Sequence, residues 1–478
     1  MKPPRPVSAR LAEFATGLAP AAVPPEVRER AKHLILDAIG CGLAARRFYF
    51  AGPSLAALQA LGGSGPHAVV GQPLRLPLRD AVLANGILMH GLDYDDTHTE
   101  GVVHLTVGVF PAVLALASSL GRSGGEALCA YVAGVEAGAR LGSVARGAFH
   151  QVGFHPTGVI GAFASAIACA VLYGSSAEEA VNAQGIALSV AAGSLEFLED
   201  GAWTKRFHPG WAGVGGITAA TLAKHGFVAP ARAYEGRFGL FNLYLQKEAV
   251  DLATATRALG ETWETMNVAV KPFPACHFVH SLADAAIALH RKHLSTDQGI
   301  STKEKFTLDD IQELIALVPA GVVKTVCEPQ AAKKRPANDY DAKFSVPFVV
   351  AAGLVCGRLG LAELEPSRLG DPAILALADK VRYEVDPASG FPRHYSGEVI
   401  LRLRDGTEHR HREQVNRGAA DRPLRNDEIV AKFMENAAFA VSEARAREIR
   451  DAVLGLERFS RLAELEALLP EPLPGGKP

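Results

Sequence analysis

Ala-rich apolar stretches at helical spacing, parted by Gly, Pro and Ser, fill the first half of the chain. "PPEVRERAKHLILDAIGCGLAARR", "RDAVLANGILMHGLD", "GEALCAYVAGVEAGARLGSVA" and "SAEEAVNAQGIALSVAAG" place apolar residues three and four apart, the spacing of one helix face. In the third, Glu126, Glu136 and Arg140 interleave the stripe, and the fourth opens with Ser176 and Glu179 in the order of a capping box. No segment before about residue 265 shows the alternation of a strand. An all-α unit is therefore expected there, its small side chains letting helices approach closely. "TGVIGAFASAIACAVLYG" (157–174) carries no charge, but it is rich in Ala and Gly, barely long enough for a bilayer and without flanking Lys/Arg bias, so a buried helix is expected.

After "MNVAVKPFPACHFVH" the pattern changes. "IQELIALVP" and "VVKTVCEP" are β-branched and compact, "KVRYEVDP" alternates, and "SGEVILRLRDGTEHRHREQ" reads as two strands joined by an Asp405-Gly406 turn. "DYDAKFSVPFVVAAGLVCGRLG" and "DPAILALADKV" between them read as helices, and the tail from "RNDEIVAKFMENAAFAVS" to "SRLAELEALLP" is amphipathic again. The expectation is a mainly α protein of two domains. Residues 1–268 begin a large all-α domain, 269–417 form a smaller inserted α+β lid, and 418–478 pack back on the helical domain. The closing "PEPLPGGKP" is expected to be disordered.

Composition narrows the class. At 478 residues the chain exceeds one ordinary domain of roughly 100–200 residues. With 49 basic against 51 acidic side chains and a formal net charge of -2, it lacks the basic excess of a nucleic-acid binder. Cys41, Cys129, Cys169, Cys276, Cys327 and Cys356 form no C-x-x-C pair and have mostly apolar neighbours, which fits reduced thiols rather than disulfides or a cysteine-type zinc site. The apolar segment "LAEFATGLAP" is short and interrupted by Glu13, so a cytoplasmic protein is expected.

Chemistry concentrates in loops. "LMHGLDYDDTHTEGVVHLT" (88–106) places Asp93, Asp95 and Asp96 at a helix exit, where negative charge opposes the macrodipole and is not explained by capping. A solvated acidic loop is the bland reading. A magnesium-binding D-D-x-x-D motif fails, because Thr99 stands where its last aspartate belongs and Glu100 follows one residue late. "HQVGFHPTGV" sets His155 just before a helix start, where backbone N–H groups favour an anion. "LEFLEDGAWTKRFHPGW" puts Lys205, Arg206 and His208 between helical stretches, and "VKPFPACHFVHSLADA" puts Lys271, Cys276, His277 and His280 at the domain junction. Carboxylates, histidines and lysines together suit a small polycarboxylate substrate, since removing a proton beside a carboxylate requires a base and cations that stabilise the enediolate-like transition state. The "GVGG" at 213–216 lies in a helical context, and no phosphate-binding loop or G-x-S-x-G elbow is present, so no nucleotide or other cofactor is expected.

Five of these stretches, "ANGILMHGLDYDDTHTEGVVH", "GFHPTGVIGAF", "GAWTKRFHPGWA", "KPFPACHFVHSLADA" and "AKFSVPF", stand in the order found in the MmgE/PrpD family, which the chain resembles over nearly its whole length. That family includes 2-methylcitrate dehydratase, cis-aconitate decarboxylase and iminodisuccinate epimerase. The resemblance implies a homodimer and metal-independent chemistry on small di- or tricarboxylates in a cleft between an all-α domain and a lid. Position by position, it implies active-site roles for Asp93, Thr97, His104, His155, Lys205 and Lys271, with His277 and His280 beside the substrate. Two departures bear on which acid is used. His104-Leu105-Thr106 stands where many relatives read H-P-[ST], and Cys276-His277-x-x-His280 where they read Cys-Arg-x-x-His. In addition, the family's cis-aconitate decarboxylases are expected to carry a histidine at the position of Cys276.

The resulting expectation is a cofactor-independent lyase, dehydrating or decarboxylating an acid such as 2-methylcitrate or cis-aconitate. Lys205 and Lys271 would hold carboxylates, His104 and His155 would exchange protons, and Asp93 with Thr97 would orient a histidine or a substrate hydroxyl. Asp95 and Asp96 would mainly position the loop. The competing classes are an epimerase of a dicarboxylate such as iminodisuccinate, a magnesium-dependent diphosphate enzyme, and a non-catalytic helical interaction protein.

Overall fold

The Ala-rich stretches fold as helices in the computed structural model, which describes residues 5–246, 249–294, 305–391 and 394–470. They are α1 (Pro25–Ala45), α2 (Leu78–His90), α3 (Thr106–Ser119), α4 (Gly124–Ala145), α5 (Pro156–Leu172), α6 (Ala177–Ala187) and α7 (Thr204–Lys224). Both α4 and α6 begin with reciprocal capping boxes, Ser123 with Glu126 and Ser176 with Glu179, which satisfy backbone donors that a helix start leaves open. The uncharged α5 is almost wholly buried, and among the described residues no helix is long and apolar enough to cross a membrane.

Two compact units result, one formed by residues 1–270 with 425–478 and the other by residues 271–424. In the first, α7 packs against α2, α3, α5 and α6. The crossing of α2 and α7 is set by glycine: a Cβ on Gly86 would lie 2.3 Å from the Gly210 Cα, so only hydrogen fits. This close approach brings the first turn of α7 to the end of α2. From the C-terminal segment, α8 (Asn426–Ala437 in this unit) packs on α1, and its Lys432 reaches Asp37 at 2.7 Å and the Tyr94 carbonyl at 2.6 Å.

Three sequence expectations need correction. The helical unit contains two-residue ladders, β1 (His67–Ala68) with β2 (Arg75–Leu76) and β3 (Thr97–His98) with β4 (Val268–Ala269), each too short to show alternation. Lys205, Arg206 and His208 lie inside α7 rather than in a loop, because the helix starts at Thr204 and continues through Pro209 although that residue offers no N–H to the preceding turn. "VVKTVCEP" contains a short helix, Val323–Val326, not a strand; so short a β-branched run carries no usable period. The unit boundaries also differ from the sequence reading. The β3–β4 pairing holds Val268 and Ala269 in the first unit, while Gly418 N–H donates to the Arg422 carbonyl at 2.8 Å and Arg422 Nη1 to the Val415 carbonyl at 3.0 Å, keeping 418–424 in the second.

The second unit holds a four-stranded mixed sheet in the order β6-β5-β7-β8. Its central β5 (Ile311–Val318) pairs in parallel with β6 (Val381–Val385) and antiparallel with β7 (Gly397–Leu403). A hairpin through Asp405 and Gly406 leads to β8 (Glu408–Glu413), Gly406 taking the left-handed conformation the turn needs at φ 88. The helix His280–Leu289 covers β7 and β8 and packs on Val346–Cys356, with Leu282, Ala286, Val350, Leu314 and Leu401 in one apolar core.

Candidate active site

Helix α2 delivers His90 as its last residue, and the chain leaves it through Asp93 at φ 53. Val102 near the loop's other end is also left-handed, at φ 51. Such conformations cost of order 1–3 kcal/mol each and persist only where surroundings over-determine them. Here the β3–β4 ladder, a bond from His98 N–H to the Val103 carbonyl at 2.8 Å, and Lys432 on the Tyr94 carbonyl supply that constraint. The acidic cluster is consequently internal. Asp93, Asp95 and Asp96 are 3%, 0% and 1% exposed, which overturns the reading of a solvated acidic loop.

The Asp95 carboxylate lies between two imidazoles, 3.0 Å from His90 Nδ1 and 3.1 Å from His104 Nδ1. His104 Nδ1 also lies 2.7 Å from the Asp96 carbonyl and 3.2 Å from Thr97 Oγ1. A carbonyl can only accept, so His104 carries a hydrogen on Nδ1, the tautomer whose neutral ring has its lone pair on Nε2 as a general base needs. Burial works to raise the Asp95 pKa, but the His90 and His104 rings outweigh it and hold the carboxyl below the ordinary range. Burial pushes neighbouring Asp96 up to about 8, with Asp95 and Asp37 adding to the rise and the Thr106 hydroxyl bond opposing it. Two adjacent carboxyls are thus set apart, Asp95 ionised and Asp96 protonated at neutral pH. Asp95 therefore contacts His104 directly as well as lying in the loop.

The first turn of α7 completes the cluster. Lys205 Nζ donates to Asp93 Oδ1 at 2.8 Å, and both groups are buried. Arg206 instead braces the scaffold, donating from Nε to the Gly91 carbonyl at 2.9 Å and stacking 4.5 Å over the Phe50 ring. His208 Nδ1 meets His155 Nδ1 at 3.0 Å. His155 is the N-cap of α5, held by its N–H on the Gly193 carbonyl at 2.9 Å, and two residues on Thr157 Oγ1 accepts from the His104 N–H at 3.1 Å. Ring centroids are 4.7 Å apart for His90 and His104, 5.9 Å for His90 and His155, and 6.3 Å for His104 and His155. Burial lowers His90 to about 4 against the pull of Asp95, and lowers His208 to about 4. It also drives His155 well below its ordinary value, with Lys205 and His208 acting the same way. One buried ammonium thus stands among imidazoles kept neutral by desolvation.

Of the residues expected from sequence, Asp93, Thr97, His104, His155 and Lys205 come together in this first-unit cluster. Lys271, His277 and His280 belong to the second unit. There Lys271 is buried, His277 Nε2 accepts from Asn416 Nδ2 at 2.9 Å, and His280 Nε2 donates to the Ala275 carbonyl at 3.1 Å. Cys276 donates its N–H to the Lys343 carbonyl at 2.9 Å. The sequence reading did not assign a role to His90 or His208. A histidine at a helix end five residues before an aspartate was the available clue to His90, whereas nothing local marks the partner of His208.

One ring nitrogen each from His90, His104 and His155 lies within 4.8 Å of the others, as does one donor atom each from Asp93, Asp95 and His104. Sets of this spacing can hold a divalent ion. In the second set, however, the Lys205 ammonium already stands against Asp93 and would repel such an ion.

Comparison with known proteins gives a consistent picture. Residues 9–253 match the MmgE/PrpD N-terminal domain and residues 273–458 the MmgE/PrpD C-terminal domain. The chain is 28% identical to the cis-aconitate decarboxylase-like protein oryM of Aspergillus oryzae over 483 residues, 97% of each chain. It is 27% identical to a cis-aconitate decarboxylase of Aspergillus terreus over 487 residues, 97% of this chain and 96% of that one. It is 29% identical to the cis-aconitate decarboxylase of Homo sapiens over 459 residues, 94% of this chain and 91% of the human one. The chain belongs to the MmgE/PrpD family.

Proposed function

We propose that the protein is a cofactor-independent lyase that works by proton transfer α to a carboxylate of a small di- or tricarboxylate, with decarboxylation of cis-aconitate as the leading case. The observation that carries the reading is the buried Lys205 ammonium set among neutral imidazoles, with His104 oriented by Asp95. The Lys205 ammonium and ring N–H groups can donate to a carboxylate of the ligand, and a cation close to a carboxylate counters the charge that builds up on it in the transition state. Loss of CO2 from cis-aconitate sends the bonding pair through the adjacent double bond to the carbon beside another carboxylate, which takes up one proton. The named activity of the fungal and human relatives supports this choice. The Lys205–Asp93 pair supports chemistry that needs no metal.

A second reading, epimerisation, draws on the two histidine rings 6.3 Å apart, because a proton taken from one face must be returned to the other. The test is incubation with cis-aconitate, 2-methylcitrate and iminodisuccinate, with products read by NMR. CO2 release from cis-aconitate is the expected outcome, loss of water from 2-methylcitrate identifies a dehydratase, and stereochemical scrambling alone an epimerase. Failure to turn over any of the three removes the class.

A further inference from the structure

The cluster assigns His104 a hydrogen on Nδ1 but leaves open how a proton donor works in a site where burial lowers His90, His155 and His208. A neutral histidine that gives away its Nε2 hydrogen would become an imidazolate unless Nδ1 gains a hydrogen in the same step. For His155 that nitrogen faces another imidazole, His208 Nδ1, at 3.0 Å, and neither ring has another hydrogen bond among the described residues. Two neutral rings joined through their Nδ1 atoms share one hydrogen, so one must be the Nδ1–H tautomer and the other the Nε2–H tautomer.

We propose that His208 is a positioning residue that sets the tautomer of His155 and makes the two rings a proton relay with no charged intermediate. In the loaded state His208 carries Nδ1–H and donates it to the His155 Nδ1 lone pair, while His155 carries Nε2–H. During turnover the N–H bond at His155 Nε2 breaks and its proton forms the new C–H bond at substrate. The His208 Nδ1–H bond breaks as a bond to His155 Nδ1 forms, and water supplies the proton that His208 Nε2 takes up, leaving a hydroxide that passes to bulk solvent. Both rings end neutral with tautomers exchanged; to reload them, His155 Nε2 takes a proton from water entering the emptied site, His155 Nδ1 returns its hydrogen to His208 Nδ1, and His208 Nε2 gives its proton back to solvent.

The surroundings favour such a neutral relay over an imidazolium. Desolvation lowers both rings, and the groups facing them are Lys205 on the same helix as His208, His90 and His104 across the cluster, and His150, whose ring lies 6.3 Å from His155. The one cation among these opposes a second positive charge. His155 is 2% and His208 8% exposed, which places His208 on the more accessible side of the pair.

The assignment has a test that needs no substrate, and only its kinetic arm rests on the proposed decarboxylation. In 15N-histidine NMR of the ligand-free protein at neutral pH, with resonances assigned from His155→Phe and His208→Phe spectra, one of the two rings should be Nδ1–H and the other Nε2–H. Two Nε2–H rings, or either ring protonated at both nitrogens, overturn the proposal. With cis-aconitate, His208→Gln should lower kcat about 100-fold, within the range of general-acid contributions, and leave KM within about twofold. In His208→Ala, added imidazoles should restore kcat in an order that follows their pKa. Rescue that is indifferent to pKa, or an unchanged kcat in a folded His208→Gln, contradicts the relay. Absence of cis-aconitate turnover by the unsubstituted protein refutes the decarboxylase reading, and the NMR result then decides the relay by itself.

Discussion

Replacing Asp95 by asparagine removes one negative charge and little else from the middle of the site. The carboxylate lies 3.0 Å from His90 Nδ1 and 3.1 Å from His104 Nδ1 and has no exposed surface, so solvent cannot take its place. Hydrogen bonds to a charged partner are worth about 1.5–3 kcal/mol, against about 0.5–1.5 for neutral ones, so the bond that holds the His104 ring by its Nδ1–H weakens by about 1–2 kcal/mol. At about 1.4 kcal/mol per tenfold in rate, kcat should fall roughly 5- to 30-fold. The amide can also present its NH2 group to a ring nitrogen and so favour the wrong His104 tautomer, which deepens the loss. The assay is the initial rate of CO2 release from cis-aconitate, with circular dichroism and thermal melting confirming the fold. A folded Asp95→Asn protein with unchanged kcat would refute the claim that Asp95 acts through His104.

Other outcomes follow from the same geometry. Lys205→Met leaves Asp93 buried without its ammonium; breaking such a pair costs about 3–5 kcal/mol, so melting should show a large stability loss and activity should vanish, whereas Lys205→Met with Asp93→Asn should recover stability but not activity. Asp96, raised to about 8, binds a proton in the folded state that the unfolded chain has lost, so its contribution is full below about pH 4 and fades as pH rises through 8. Asp96→Asn should therefore gain stability relative to the unsubstituted protein between pH 5 and pH 8, by up to about 1.4 kcal/mol per pH unit, read by urea denaturation across pH; a flat difference would show that Asp96 is ionised. Gly86→Ala forces a methyl to within 2.3 Å of Gly210 and should lower the melting temperature and kcat together, while Gly17→Ala, with open space around it, should change neither. Turnover should survive dialysis against a strong chelator, with rates measured before and after; loss reversed by a divalent ion would restore the metal reading.

The helical half was legible because Ala-rich stripes and capping boxes are local patterns, as Ser123 with Glu126 and Ser176 with Glu179 illustrate. The sheet was legible for a similar reason, β5 as a compact β-branched run and β6, β7 and β8 as alternating sequence segments. The two-residue pair of Thr97–His98 with Val268–Ala269 was not, since it joins positions far apart in sequence and leaves no period to read. At the site, Asp93, Thr97, His104, His155 and Lys205 stood out by residue type and by family resemblance. What no sequence pattern contained was direction: that Asp95 points inward between two rings, that Arg206 turns to Gly91 and Phe50, and that His208, on a turn read as a loop, reaches His155. The Arg206 contact depends on the α2–α7 crossing at Gly86 and Gly210, a tertiary contact.

The central claim, proton transfer to carbon beside a carboxylate, is tested most directly by turnover of cis-aconitate in deuterated water with the product read by proton and deuterium NMR. The account predicts CO2 release with one solvent deuteron on the saturated carbon next to a remaining carboxylate. Product that carries no deuterium there, or no turnover in the folded protein, would contradict it.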